Sequence, residues 1–334
     1  MPTLYAALGD RMLAVTGRQP GAGQSGGWTA TEALVGQDIE CVAASPDAPE
    51  RVFAGTVDSG LQRSRDGGDT WQAVGDFTDR VTAVTVSPHD PDAVWAGTEP
   101  SAVYRSRDGG DTWTRCGGLA ALPSAKRWSF PPRPHTHHVR WLAVNSHDPA
   151  HVYVAIEAGA FVRSVDGGAT WEDHPQGGPR DNHTLATHPD APCRVYAAAG
   201  DGYAESPDCG TSWSFRQSGL DHRYVWGLAV DPRDPDTVVV SAARGARRAH
   251  WPDSARSYVY RRTDGDWQVA MAGLPDPAGT VRAILACGDA GEFYALTNRG
   301  LYRSGDAART WSRPGIAWPD AYERQTGRGL AVVG

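Results

Sequence analysis

One eight-residue phrase, Ser-x-Asp-x-Gly-x-Thr-Trp, recurs along the chain, and its spacing constrains the fold more than any other feature. SRDGGDTW stands at Ser64–Trp71 and again at Ser106–Trp113, SVDGGATW at Ser164–Trp171, SPDCGTSW at Ser206–Trp213 and SGDAARTW at Ser304–Trp311. A shortened TDGDW ends at Trp267, and GGW at Trp28 is the most worn copy. A self-similar period of about 40 residues is the signature of a propeller, whose repeats bury their faces only against one another. Seven tryptophans therefore mark seven units.

Upstream of each box lies an alternating segment, a Pro-containing turn and a second alternating segment, as in VTAVTVSPHDPDAVWAGT at Val81–Thr98. The period of two is the strand signal. Each unit thus reads as four antiparallel strands, A to D from the channel outward, with the Pro turn joining A to B and the box joining C to D. The expected fold is all-β, a single seven-bladed propeller over residues 1–334. Blades one to six are placed at 39–75, 81–116, 139–174, 182–217, 225–271 and 281–314. The seventh is split, residues 328–334 supplying strand A and residues 3–34 the other three. Pairing of the C-terminal strand with the N-terminal strands closes the ring and removes exposed edges. No helix is required.

The 39 Gly, 24 Pro and 13 Trp suit many short strands and tight turns. A formal charge of −7 excludes the basic footprint of a nucleic-acid binder and a polybasic membrane patch. Five cysteines without a CxxC pair are expected to be reduced, packed thiols. With no basic, apolar leader and no run of about 20 apolar residues, the expected compartment is the cytoplasm.

The box, with the preceding Asp-Pro-Asp-x-Val-x-Ala-Gly-Thr, resembles the Asp-box (BNR) repeat family over nearly the whole chain. That family includes sialidases, family-74 xyloglucanases, sortilin-type receptors and a photosystem assembly-factor group, so the resemblance implies the fold and leaves enzyme, receptor and assembly roles open. The Phe/Tyr-Arg-Ile-Pro motif of sialidases is absent, and the xyloglucanases work in a cleft between two propellers where this chain has one. The box aspartates Asp66, Asp108, Asp166 and Asp208 are read as turn residues that accept backbone N–H bonds. Gly21–Gly26 fits GxGxxG but precedes a strand, which makes it a hairpin loop and not a phosphate cradle.

Function is sought where the repeats break. B–C loops and the connections between blades emerge on one face, the top, and the long insertions fall there: Cys116–His138, Arg244–Ser257 and Gly315–Gly327. They carry Trp128, Phe130, Trp251, Trp318 and Tyr322, expected to be exposed. Aligned repeats place Glu40, Thr82, Arg140, His183, Trp226, Arg282 and Arg328 in one ring at the channel mouth. Three arginines there suit a carboxylate or phosphate, because the guanidinium fork donates two parallel hydrogen bonds.

The expectation is an enzyme, a lyase or glycoside hydrolase, acting on a small anionic or saccharide-like ligand. Arg140, Arg282, Arg328, Trp226 and Asp181 would bind it, and His138, His183, Tyr224 and Glu40 would move protons. Glycoside hydrolysis would use Glu40 and Asp181 as its two carboxylates. His135-Thr136-His137-His138 is the sharpest local feature, since residues two apart on an extended chain share a face about 6–7 Å apart. His135, His137 and His138 with His183 and His222 form the candidate set for a divalent metal. The alternative is a non-catalytic module that binds a ligand or a protein partner.

Overall fold

The protein is described by a computed structural model covering residues 2–17, 27–133 and 136–334. The loop Gly21–Gly26 and His135 lie outside the described residues. The chain forms seven antiparallel sheets in the order the repeats predict. Closure is as expected: Gly329–Val333 pairs with Thr3–Leu8, from Thr3 opposite Val333 to Ala7 opposite Gly329.

The innermost strands are Ile39–Ser45, Arg80–Ser87, Val139–Val144, Asn182–His188, Tyr224–Asp231, Ile284–Cys287 and Gly329–Val333. Each packs against the next, and the last returns to the first. Seven apolar clusters fill the spaces between neighbouring blades. The second strands are buried on both faces, as along Val152–Ile156, because each sheet is sandwiched between two others. Their near-continuous apolar runs follow from that position.

The boxes act as turn-locks. In the first, Asp66 accepts hydrogen bonds from Ser64 Oγ, Thr70 N–H and Thr70 Oγ at 2.7, 2.8 and 2.6 Å. Trp71 Nε1 donates to Gly68 O at 2.9 Å, and Gly68 needs its φ of 98°. Arginines of the third strands fasten four of the seven blades to the next: Arg63 donates to Gly109 O, Arg105 to Gly167 O, Arg163 to Cys209 O and Arg261 to Ala307 O.

Three expectations are corrected. In blades three and six the outer strand shrinks to single bridges, Arg163 opposite Glu172 and Arg303 opposite Ser312. The top loops contain short helices, Ala246–His250 and Asp320–Glu323. Cys193 and Cys209 are joined in a disulfide, leaving Cys41, Cys116 and Cys287 as thiols. The fourth box carries Cys209 in its turn, folded onto the strand that holds Cys193, a proximity that spacing along the chain does not reveal.

Candidate functional site at the channel mouth

The predicted ring owes its direction to a repeated irregularity. Antiparallel pairing of strand A with strand B skips a register between Ile39 and Cys41, Val81 and Ala83, Val139 and Trp141, Asn182 and Thr184, and Val225 and Leu228. The residues left over are Glu40, Thr82, Arg140, His183 and, with Gly227, Trp226. A bulge frees one residue from the ladder and re-aims its side chain. Here it repeats in five blades at the same height. Arg282 and Arg328 hold the equivalent places through their backbone N–H groups, bonded to Ala249 O and Ala7 O.

Above these residues is a cavity of about 650 Å³, a size suited to a small molecule. Glu40, Thr82, Arg140, Trp226, Arg282 and Arg328 line it, together with Glu99, Arg133 and Glu157. His183 lies fully buried behind Trp226, stacked on it at 4.2 Å between ring centroids.

Arg282 dominates the electrostatics. Its side chain is buried, Nε and Nη1 have no hydrogen-bond partner among the described residues, and no carboxylate among them pairs with it. Desolvation, then the charges of Arg328 and Arg140, pull its pKa well below the ordinary value. The same surroundings keep His250 neutral: desolvation first, then Arg282, His183, Arg140 and Arg328, lower its pKa. Burial, with Glu157 and Asp181 nearby, pushes the Tyr224 phenol far up. Tyr224 is therefore a proton donor at neutral pH, 3.1 Å from His250 Nε2.

Blades three and four supply the acidic wall. His138 Nε2 lies 2.9 Å from Glu157 Oε2, and Arg140 Nε lies 3.7 Å from the same oxygen. Burial pushes Glu157 up, but the His138 hydrogen bond and the charges of His138, His183 and Arg140 outweigh it and hold the carboxyl low. Asp181, also raised by burial, is held low by His183 and by the Ala158 N–H. Glu99 accepts both Arg133 Nε and Nη2, at 2.8 and 2.7 Å. Glu40 faces Arg80 at 3.5 Å and Arg328 at 3.8 Å.

The structure thus brings together Glu40, His138, Arg140, Asp181, Tyr224, Trp226, Arg282 and Arg328 at one cavity, with His183 directly behind it. Among the described residues it does not bring together the histidines His137, His138, His183 and His222. His137 packs edge-on against Trp128, and His222 bonds Tyr260 Oη and stacks on Tyr258. Of the loop aromatics, Phe130 and Trp251 line the mouth. Trp128 and Tyr322 are buried in the core, and Trp318 packs against it with Nε1 bonded to Asn298 O. These three hold the insertions down, which corrects the expectation that they are exposed.

Sequence reasoning missed Glu99, Glu157 and His250. Glu99 and Glu157 share one repeat position, at the end of strand B, where blades one and four have Val57 and Gly200. Two acids at a position that is Val57 in blade one and Gly200 in blade four were the available signal. A second groove of about 530 Å³ lies at blades four and five, where Arg194 pairs with Glu205 and Asp236, and Arg262 with Glu205.

No protein-family profile matches the chain, and no curated protein sequence does. Solved structures do. An ancestral GH74 enzyme aligns with TM-score 0.65 and 18% identity, covering 83% of this chain and 38% of its own. The GH74 xyloglucanase from Xanthomonas campestris aligns with TM-score 0.63 and 17% identity, covering 97% of this chain and 52% of its own. YCF48 bound to D1 peptide aligns with TM-score 0.59 and 17% identity, covering 89% of this chain and 93% of its own. The chain spans about half or less of these two GH74 enzymes and nearly all of YCF48. At such identities the likeness establishes the propeller fold alone.

Proposed function

We propose that the channel mouth binds a small carboxylate-bearing, saccharide-like molecule and catalyses its cleavage, most directly by β-elimination. The observation that carries this reading is Arg282, a buried guanidinium with unbonded N–H groups lining the cavity. An uncompensated buried charge costs several kcal/mol, and an anion seated on it with Arg140 and Arg328 removes that cost.

The chemistry follows from where charge would develop. Arginines on the ligand carboxylate acidify the C–H beside it and stabilise the anion that forms when the proton leaves. His138, which lines the cavity, takes that proton, the carbon–carbon double bond forms, and the C–O bond one carbon further on breaks. The departing oxygen takes the Tyr224 proton, and nearby Arg282 and Arg140 steady the phenolate. Hydrolysis is the variant in keeping with the GH74 neighbours, and Glu40 and Asp181 would then serve as the two carboxylates.

Thermal shift with galacturonate, glucuronate, their neutral sugars and phosphate tests binding. Uronates should raise the melting temperature of the native protein and not of Arg282→Gln. Indifference to every anion, or an equal shift in the variant, would overturn the site. Ultraviolet absorbance of an unsaturated product from oligouronates then tests the reaction.

A second reading, a non-catalytic module for a protein partner, is supported by the full-length match to YCF48 bound to D1 peptide. A peptide carboxylate could engage the same arginines. Anion binding without product from any uronate would favour it.

A further inference from the structure

We propose that Glu157, Asp181 and His183 hold a divalent cation beside the arginine site. Their donor atoms lie within 4.8 Å of one another, and the decisive feature is the orientation of His183. Its Nδ1 donates to Val225 O at 2.7 Å, so the lone pair of the neutral ring sits on Nε2. That nitrogen belongs to a side chain with no exposure, has no hydrogen-bond partner, and points at Asp181 Oδ1 from 3.5 Å. A divalent cation between this nitrogen and the carboxylate would satisfy both; a proton on Nε2 that pairs His183 with Asp181 is the competing arrangement, and it would take up no metal. A histidine whose second nitrogen is fixed by a backbone carbonyl is the usual arrangement of a metal ligand.

The other two donors are held as firmly. Asp181 Oδ1 accepts the Ala158 N–H at 2.9 Å, and a Cβ at Gly200 would come within 2.0 Å of Asp181 Oδ2, so the carboxylate occupies space that only glycine leaves. Glu157 Oε2 is taken by His138 at 2.9 Å, with Arg140 nearby, which leaves the other oxygen for a cation. Two carboxylates offset a divalent charge, and Arg140 lies 3.7 Å from the Glu157 oxygen that His138 meets. One imidazole and two carboxylates, with remaining positions for water or ligand oxygens, suit Mn²⁺ or Zn²⁺ better than a soft ion or Ca²⁺.

None of the three ligands is Arg282 or Arg328, so metal uptake and uronate binding are read separately and can fail separately. The full chain, dialysed against chelator, is titrated with Mn²⁺ by the electron paramagnetic resonance of the free ion and with Zn²⁺ by calorimetry. The expected result is one equivalent bound, with affinity lowered at least tenfold in Asp181→Asn and in Glu157→Gln. Echo modulation of the bound Mn²⁺ in the native protein should show a single imidazole nitrogen, a readout that needs no variant. No uptake at millimolar metal overturns the proposal. So do unchanged affinity in both variants, more than one imidazole, or loss confined to His137→Ala. Uronate thermal shifts on the chelated protein test the arginine site separately, since Arg282 and Arg328 need no metal.

Discussion

The guanidinium carbon of Arg282 stands 4.6 Å from the centroid of the Trp226 ring, and the same indole carries Arg140 at 4.9 Å. A desolvated cation over an indole gains about 2 kcal/mol, less than the several kcal/mol that a buried, unpaired charge costs. Trp226 reduces the deficit without closing it.

Replacing Arg282 by Met should therefore change stability and binding in opposite directions. Without ligand the variant should melt at or above the native temperature, since an apolar replacement of a poorly compensated buried charge is neutral to stabilising by about 1–4 kcal/mol. The uronate-induced rise should vanish. Calorimetric melts of both proteins, with and without galacturonate, read both effects. A variant that is less stable and still responds would show that Arg282 is a structural residue.

The boxes predict an acid limb to stability. Asp66 and Asp166 are lowered to about 2 by hydrogen bonds from their Thr side chains and backbone N–H groups and from Ser. Asp306 is lowered to about 2 by the same bonds against a raising effect of burial. A carboxyl depressed in the folded state adds stability that is complete above its unfolded pKa of about 3.9 and is lost as pH falls through the folded value. The melting temperature should fall between about pH 4 and pH 2, and the fall should be shallower in Asp66→Asn, Asp166→Asn. Equal slopes would refute the assignment.

The architecture was legible because each repeat carries its own turn chemistry, and the ring could be placed because seven aligned strands share one register. The bulges at Glu40, Thr82, Arg140, His183 and Trp226 could not be seen, because an extra residue in one strand leaves no mark in a period-two pattern. His250 comes from the long Arg244–Ser257 insertion, which has no counterpart in the other blades, and only folding brings it to the mouth. The histidine run misled for a related reason: at a loop end, adjacent side chains diverge, so His138 meets Glu157 while His137 packs on Trp128.

The sixth box offers a stabilising change. It reads Asp-Ala-Ala where the first three have Asp-Gly-Gly, yet Ala307 and Ala308 adopt φ of 55° and 60°. An L residue in the left-handed region costs roughly 1–2 kcal/mol, part of which Gly returns through the greater freedom of its unfolded chain. Ala307→Gly should stabilise by about 0.5–1 kcal/mol in urea titrations at unchanged m-value. Ala308 is fully buried, so its methyl packing offsets the gain there.

Cysteine labelling tests the corrected pairing. Alkylation of the denatured, unreduced protein should modify Cys41, Cys116 and Cys287 and spare Cys193 and Cys209. In the folded state Cys41 should resist as well, because burial raises its thiol to about 12. A disulfide closing a loop of this size contributes about 3 kcal/mol by chain entropy, so Cys193→Ser with Cys209→Ser should lower stability by up to that amount. Five modified cysteines without reductant would refute the bond.

The blade-to-blade arginines should be unequal, and the inequality shows what they do. Arg63 donates to Gly109 O at 2.7 Å and meets Asp111 at 2.8 Å with its side chain only 2% exposed. Arg105 reaches Gly167 O at 3.2 Å and pairs with no carboxylate among the described residues, though its guanidinium lies over Trp95 at 4.8 Å. Arg63→Met strands a buried carbonyl and should cost about 1–3 kcal/mol, whereas Arg105→Met, giving up a longer bond, should cost less. The two sites lie at different blade interfaces, so the double variant should cost the sum of the singles to within about 0.5 kcal/mol. A double variant that loses much more than the sum would mean that the ring opens as one cooperative unit once two of its seams are weakened.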